Sequence, residues 1–96
     1  MDEERILGLI YEAVDELNEQ LDADDQLSKS RDAIVFGEGS RLDSLAVVNL
    51  LAAIEDRLAA EGGPAVALLD LVADEDSADK LRSIDSLLRT LLSEGA

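Results

Sequence analysis

Two serines in identical Asp-Ser-Leu tripeptides are the residues of this chain best suited to chemistry. The first tripeptide, Asp43–Leu45, stands in GSRLDSLAVVNLL, and the second, Asp85–Leu87, stands in LRSIDSLLRTLL. Each precedes an apolar pattern with helical spacing. A serine at a helix start either caps the helix or carries an attached phosphate group, because free backbone N–H groups and the helix dipole favour negative charge there.

The missing residue types restrict what else the chain can do. It contains no histidine and no cysteine, which excludes a Ser–His pair, a cysteine nucleophile and an ordinary zinc site. Its 23 acidic residues include some close pairs by chance. Acid–base catalysis, however, needs a carboxyl group in a dry pocket, and most of these acids fall on predicted solvent-facing surfaces. We therefore predict that the chain is not an enzyme and that another protein performs any chemistry at its serines.

Two acidic clusters match a calcium-binding loop only in part. Such a loop needs oxygen ligands at alternate positions, a glycine at the sixth position and a glutamate at the twelfth. Counted from Asp74, the segment DEDSAD has Asp76 at the third position, Asp79 at the sixth and Asp85 at the twelfth. The segment DADDQ at residues 22–26 fails in a similar way. Solvated acids are the favoured interpretation, and no metal site is predicted.

The net charge of −15 indicates which partners suit the chain. Nucleic acid and anionic membrane surfaces are poor partners, whereas basic patches on other proteins would be attracted by the acidic field. No apolar run is long enough to span a bilayer and no signal peptide opens the chain. We predict a monomeric, cytoplasmic protein that does not insert into membranes.

The first and last helices are predicted from apolar residues repeated at steps of three and four. The first covers about residues 3–20, and the last runs from about Ser83 to Ser93 with Ser83 as its cap. The apolar face of the first helix comprises Ile6, Ile10, Val14, Leu17 and Leu21. The inner face of the last helix comprises Ile84, Leu87, Leu88, Leu91 and Leu92.

The second helix starts at Asp43 or Ser44 and runs to about Ala60, where Gly62 or Gly63 stops it. At 100° per residue its core face comprises Val47, Leu50, Leu51, Ile54 and Leu58. The opposite face comprises Leu45, Ala46, Asn49, Ala52, Ala53 and Asp56. Because that face is small and weakly apolar yet exposed in a monomer, we predict that it binds a partner.

The remaining segments are less regular. Residues 22–41 read as a long loop, often a functional feature in a small domain, with anchors at Leu27, Ile34 and Phe36. Within residues 62–82 the pattern is either extended to Leu69 and then helical, or helical from Val66 onward. The fold class is therefore all-α. It is a single domain of residues 1–96 with three main helices plus a short third helix or irregular segment.

Their positions make the two serines unequal. Ser44 follows the long loop and opens a long helix, so we expect its hydroxyl to point outward. Ser86 lies one turn inside the last helix, behind the cap at Ser83, and is expected to be an exposed residue of the polar face. Ser44 is the better candidate for modification, although helix capping is an alternative for both serines.

The stretch FGEGSRLDSLAVVNLLAAIEDRL, residues 36–58, resembles the acyl/peptidyl carrier protein family. In that family the serine of a D-S-L motif at the start of the second helix carries 4′-phosphopantetheine. The similarity extends over most of the chain, with a helix ahead of a long loop, a variable short third helix and a last helix introduced by LRSIDSLLRTL. It implies a carrier-protein-like four-helix bundle.

By position, Ser44 matches the attachment site, Asp43 the motif acid and Leu45 the first helix residue, which commonly contacts partners. The resemblance implies that a phosphopantetheinyl transferase, with its own bound magnesium, moves the arm from coenzyme A to Ser44. The thiol of the arm would then hold an acyl or aminoacyl group as a thioester. Loading and transferring enzymes with basic docking patches would be the partners.

The chain departs from the pattern of carriers in fatty-acid synthesis. Those carriers commonly have acids two and five residues after the serine, where this chain has Ala46 and Asn49, and a glycine three residues before it, where this chain has Arg41. The expectation is a specialised stand-alone carrier for a secondary metabolite, a modified lipid or an aminoacyl group. The alternative is an acidic helical adaptor without a prosthetic group that docks through Leu45, Ala46, Ala52 and Ala53.

Overall fold

The computed structural model describes residues 2–37, 40, 42–63, 68–72 and 79–94, and of Ser44, Leu71, Val72 and Glu94 it describes the backbone. Over these ranges the chain is helical and has no strand, apart from one isolated bridge between Ile34 and Ser83. The helices are α1 (Glu3–Asn18), α2 (Ser44–Ala60), α3 (Leu68–Val72) and α4 (Ile84–Glu94), with a 3₁₀ turn at Ala23–Asp25. The prediction of an all-α protein with three main helices is confirmed.

Helix α1 is amphipathic, as its apolar spacing predicts. The Asp2 carboxylate accepts the Arg5 N–H at 2.8 Å and caps the start of the helix. The helix ends two residues earlier than predicted, so Leu21 lies beyond it and packs half-buried against the core. The buried residues of α1 are Ile6, Leu9, Ile10, Ala13, Val14 and Leu17.

Helix α2 begins and ends where its capping residues predict. At its end Gly62 has a φ of +71°, a conformation that favours glycine. The Gly63 N–H donates to the Leu58 carbonyl at 2.8 Å, and the Gly62 N–H donates to the Ala59 carbonyl at 3.2 Å. These two bonds form a Schellman motif, which satisfies carbonyls that the last turn would otherwise leave open.

Helices α3 and α4 complete the bundle. The Ser83 hydroxyl accepts the Ser86 N–H at 3.1 Å, which confirms Ser83 as the cap of α4. In α3 the Leu68 N–H donates to the Glu55 carboxylate of α2 at 2.5 Å. Residues 64–67 and 73–78 lie outside the described part, so of the segment 62–82 the structure describes α3, the residues before 64 and those after 78.

The core lies where α1 packs against α2 and α4, with α3 against the side of α2. All five predicted core residues of α2 are buried, as are four of the five predicted for α4, and Leu92 is half-buried. Each fully buried large aliphatic side chain contributes roughly 1.5–3 kcal/mol relative to an exposed one. The fully buried large side chains are Ile6, Ile10, Leu50, Leu51, Ile54, Leu58, Leu68, Leu81, Ile84, Leu87, Leu88 and Leu91.

The loop between α1 and α2 is anchored differently from the prediction. Leu27 and Phe36 pack against the core as expected, but the buried residue of the middle segment is Val35, with Ile34 only half-buried. The reason is the bridge between Ile34 and Ser83, because successive residues of an extended segment point to opposite sides. The Val35 N–H donates to the Arg82 carbonyl at 2.7 Å and fixes this arrangement.

Arg31 links the same loop to two helices. Its guanidinium lies 2.7 Å from the Asp85 carboxylate of α4 and 3.3 Å from the Glu3 carboxylate of α1. The hydrogen bond to Asp85 is the main reason that the pKa of Arg31 lies above its usual value. Because these pairs are solvent-exposed, they orient the loop more than they stabilise the fold.

Asn18, the last residue of α1, holds the start of the loop. Its side-chain Nδ2 donates to the Leu27 carbonyl at 2.9 Å, and its Oδ1 accepts the Leu27 N–H at 2.8 Å. Gln26 Nε2 adds a bond to the Asn18 carbonyl at 3.1 Å. One amide side chain thus satisfies both backbone groups of a residue nine positions away.

Replacing Asn18 with alanine should therefore destabilise the protein. The change leaves two half-buried backbone groups of Leu27 without their partner, at a cost of about 1–3 kcal/mol in the free energy of unfolding. Asn49, exposed on α2, provides a matched control, because Asn49→Ala makes the same chemical change on a helix and should alter stability by less than about 0.5 kcal/mol. Urea unfolding of both variants measures the difference, and equal stabilities would contradict the role given to Asn18.

Candidate functional site

The start of α2 is built by Asp43. Its backbone is extended, with φ −81° and ψ 176°, and its Oδ1 accepts the Ala46 N–H at 2.7 Å. Its carbonyl accepts the Val47 N–H at 3.0 Å, which begins the helical pattern. A side-chain cap of this kind is worth about 0.5–2 kcal/mol. Ser44 is consequently the first residue of a 17-residue helix whose start is fixed by its neighbour.

Both neighbours of Ser44 are accessible. Asp43 is exposed, and the Leu45 side chain is 68% exposed, the largest exposure among the described large apolar residues. The expectation that the Ser44 hydroxyl points outward concerns a side chain outside the described part of the structure. The surface on either side of this position is open to a partner.

Ser40 holds the chain just before the helix. Its hydroxyl donates to the Val35 carbonyl at 2.7 Å and accepts the Leu42 N–H at 3.1 Å. Leu42 packs half-buried against the core. Ser40 was not among the predicted site residues. A serine whose hydroxyl accepts the N–H of the residue two positions later is nevertheless a known turn-forming arrangement.

The outer face predicted for α2 is exposed at three of its six positions. Leu45, Asn49 and Asp56 are exposed, and Ala52 and Ala53 are half-buried. Ala46 is buried, with only 7% of its surface exposed, so the prediction that it is exposed is wrong. The reason is its angle, because Ala46 lies 100° from Leu45 around the helix and so turns towards the core. Val48, which the prediction omitted, is 36% exposed.

A groove of about 520 Å³ lies between α1 and α2. Four of the residues predicted for the outer face of α2 line it. The opposite wall belongs to α1, and the apolar pattern of α2 contains no information about that wall. An ion pair between Arg57 and Glu16, at 2.7 Å, crosses the groove. The residues lining the groove are Ala13, Glu16, Leu17, Gln20, Asn49, Ala52, Ala53, Asp56, Arg57 and Ala60.

The second Asp-Ser-Leu tripeptide takes part in the hydrogen bonds at the start of α4. Ser86 is half-buried rather than exposed as predicted, and its Oγ lies 3.0 Å from the Oγ of Ser83. Its carbonyl accepts the Thr90 hydroxyl at 2.8 Å. The prediction missed this because the two hydroxyls meet only when the cap has formed. Ser86 therefore belongs to the capping network of α4.

Most basic residues in the described part of the chain pair with acids of the same chain. Of the seven basic residues within the described ranges, five form ion pairs with acids of the same chain. The excess of acids gives the chain its net charge of −15 and a negative surface field. The five paired basic residues are Arg5, Lys29, Arg31, Arg57 and Arg89.

The described residues also bear on metal binding and on membrane insertion. Among the described residues no group of three or more acidic side chains is placed to hold a metal ion, and Asp74 and Asp76 lie outside them. No helix in the described ranges is both long and apolar enough to cross a membrane. Comparison of the chain with models of protein families, with curated proteins and with solved structures finds no match.

Proposed function

We propose that this chain is a carrier protein in which Ser44 holds a covalent 4′-phosphopantetheine arm. The observation that supports the proposal is the position of Ser44, at the capped start of α2 and between the exposed residues Asp43 and Leu45. The second Asp-Ser-Leu tripeptide offers no such position, because Ser86 is engaged with Ser83. The chain would be a substrate of a phosphopantetheinyl transferase and not itself an enzyme.

The start of α2 fits a group attached through a phosphate. The first N–H groups of a helix have no acceptor within it, and Asp43 takes only that of Ala46 by its side chain. The N–H groups of Ser44 and Leu45 are left without an intrahelical acceptor, and together with the helix dipole they favour a phosphate at this end.

When bound, the arm supplies a thiol that holds an acyl or aminoacyl group as a thioester. The residues of this chain fix its point of attachment. In the attachment reaction the Ser44 oxygen would form the bond to phosphorus while the nucleotide half of coenzyme A leaves. The base that takes the serine proton would belong to the transferase, because the chain has no histidine and Asp43 is engaged in capping.

The outer face of α2 would receive the partner enzymes. Leu45 and Val48 give it exposed apolar surface near Ser44, and Asp56 gives it negative charge further along. Basic docking patches on a transferase and on loading or transferring enzymes are the complement of this surface, and nucleic acid is not. Ala46, Asn49 and Arg41 stand where carriers of fatty-acid synthesis commonly have acids and a glycine. We therefore assign this carrier to specialised lipid or secondary-metabolite biosynthesis.

An intact-mass measurement tests the carrier role. The protein is incubated with coenzyme A and a transferase of broad specificity, and the expected result is a gain of one phosphopantetheinyl group. The same measurement on protein from its own host would report both the arm and its cargo. A protein that keeps its unmodified mass under conditions in which a known carrier is converted would refute the proposal.

Leu45→Asp should impair attachment without unfolding the protein. Leu45 is largely exposed, so we expect a stability change within about 0.5 kcal/mol. We expect Leu45 to be a hot spot of the interface, whose loss costs about 2 kcal/mol or more and lowers kcat/KM for the transferase at least tenfold. Leu69→Asp on α3, where Leu69 is 38% exposed, is the matched control and should leave the rate near its original value. Equal effects of the two changes would argue against docking at the start of α2.

The groove between α1 and α2 supports a second candidate, an acidic adaptor without a prosthetic group. Its small side chains and the Asp56 carboxylate suit a basic segment of another protein, whereas Glu16 is already paired with Arg57. This candidate predicts unmodified protein in the native host and partner binding that survives Ser44→Ala. Loss of binding on that change would exclude the adaptor.

A further inference from the structure

A second, smaller pocket lies directly before the attachment site. Its volume is about 260 Å³, and it is enclosed by the start of the long loop, the middle of that loop and the residue two positions before Ser44. Apolar side chains alternate with polar ones around it. The lining residues are Asp25, Gln26, Leu27, Ser28, Ala33, Ile34 and Leu42.

Hydrogen bonds fix all three walls of this pocket. Leu27 is held on both backbone groups by Asn18. Ile34 is held through its bridge to Ser83, and the Ala33 carbonyl accepts the Ile84 N–H at 3.1 Å. Leu42 is held by Ser40, through the bond described above. The pocket therefore exists before anything binds, which removes much of the ordering cost of binding.

The pocket lies within reach of a group on Ser44. Two extended residues span at most about 7 Å, so Leu42 is close to the attachment point, and an arm with two amide units is longer than that distance. The arm also carries a dimethyl group, methylenes, amides and a hydroxyl, which match the mixed lining. The volume is below the roughly 300–1,000 Å³ typical of pockets that enclose a whole ligand, so it suits part of the arm and leaves the cargo outside.

We propose that the pocket formed by Leu27, Ile34 and Leu42 is the resting site of the phosphopantetheine arm. This inference depends on the carrier function proposed above. Leu27, Ile34 and Leu42 contact the apolar segments of the arm, and the Ser28 hydroxyl is available to its amides. The arm at rest lies against the long loop, and because no residue of α2 lines this pocket, the exposed face of α2 stays free for partner enzymes.

A spin label on the arm tests this inference. The chain has no cysteine, so after loading by a transferase the thiol of the arm is the only one in the molecule, and a thiol-specific nitroxide reacts there alone. The label broadens the NMR signals of nearby backbone amides, and reduction of the nitroxide restores them. Intact mass first confirms that the arm has been attached.

The expected result is strong broadening at Leu27, Ser28 and Ile34 and little at Asp56 and Leu69. Broadening centred on α2 and α3, or spread evenly around Ser44, would overturn the inference while leaving the carrier function standing. A protein that gains no thiol would refute the carrier function itself, and the inference with it. The two failures are therefore distinguishable.

A pair of variants tests the pocket directly. Ile34→Gln replaces a half-buried apolar wall of the pocket with a polar side chain of similar size and should reduce the broadening at Leu27 and Ser28 at least twofold. Leu69→Gln makes a comparable change on α3, outside the docking face of α2, and should leave the broadening unchanged. Amide spectra of both unlabelled variants check that the fold is retained. Unchanged broadening in folded Ile34→Gln would count against the pocket.

Discussion

Ser44→Ala is expected to abolish modification by a phosphopantetheinyl transferase, whereas Ser86→Ala leaves the modification intact. Both serines stand in the same tripeptide, so the transferase meets the same local sequence twice. The difference is structural, because residue 44 opens α2 between exposed neighbours and Ser86 lies half-buried in the cap of α4. Intact mass after incubation with coenzyme A measures the outcome.

Stability measurements control for indirect effects of these two changes. Ser44→Ala keeps the Asp43 cap and should leave the free energy of unfolding nearly unchanged. Ser86→Ala removes one hydroxyl–hydroxyl contact, worth about 0.5–1.5 kcal/mol. Modification that persists in Ser44→Ala, or that disappears in a folded Ser86→Ala protein, would contradict the assignment.

Leu50→Ala should cause a large loss of stability, as expected for a fully buried leucine of α2. Leu50 is fully buried, and shortening such a side chain removes its burial and leaves a cavity, at a cost of about 2–5 kcal/mol. Small domains have only about 5–15 kcal/mol of total stability, so a large share of it would be lost. Urea unfolding at constant temperature measures the change.

Val48 provides the comparison within the same helix. Val48→Ala also shortens an apolar side chain, two residues earlier, but Val48 lies at the edge of the exposed face. The Val48→Ala change should lower the free energy of unfolding by less than about 1 kcal/mol, because it leaves no buried cavity. Similar costs for the two variants would mean that the core and outer faces of α2 are assigned incorrectly.

The long helices could be predicted from the sequence because their signals are local. The start of α2 follows from Asp43, the start of α4 from Ser83 and the end of α2 from Gly62, each a short-range backbone preference. The core faces follow from spacing alone. These features depend on residues within a few positions of each other, which the sequence shows directly.

Most of the missed features require contact between distant parts of the chain. The burial of Val35 depends on a bridge to Ser83, whereas the burial of Ala46 follows from its angle on α2. The bonds of Asn18 to Leu27, and the wall that α1 adds to the groove, join segments that are separate in sequence. Periodicity reports which side of a helix is apolar, but it contains no information on which element covers that side.

The bond between Glu55 and the first amide of α3 has a consequence for how the molecule opens. A five-residue helix is far too short to persist alone, since isolated helices below about 12–15 residues are marginal in water. Helix α3 therefore forms only because α2 supplies its cap and the core accepts Leu68. Its amides should exchange with solvent through a local opening that leaves the contacts of α1, α2 and α4 in place, whereas the central amides of α2 exchange only when the whole domain unfolds. We therefore expect α1, α2 and α4 to unfold together and α3 to open separately. Opening of α3 is then the event that exposes part of the core at the smallest cost in free energy.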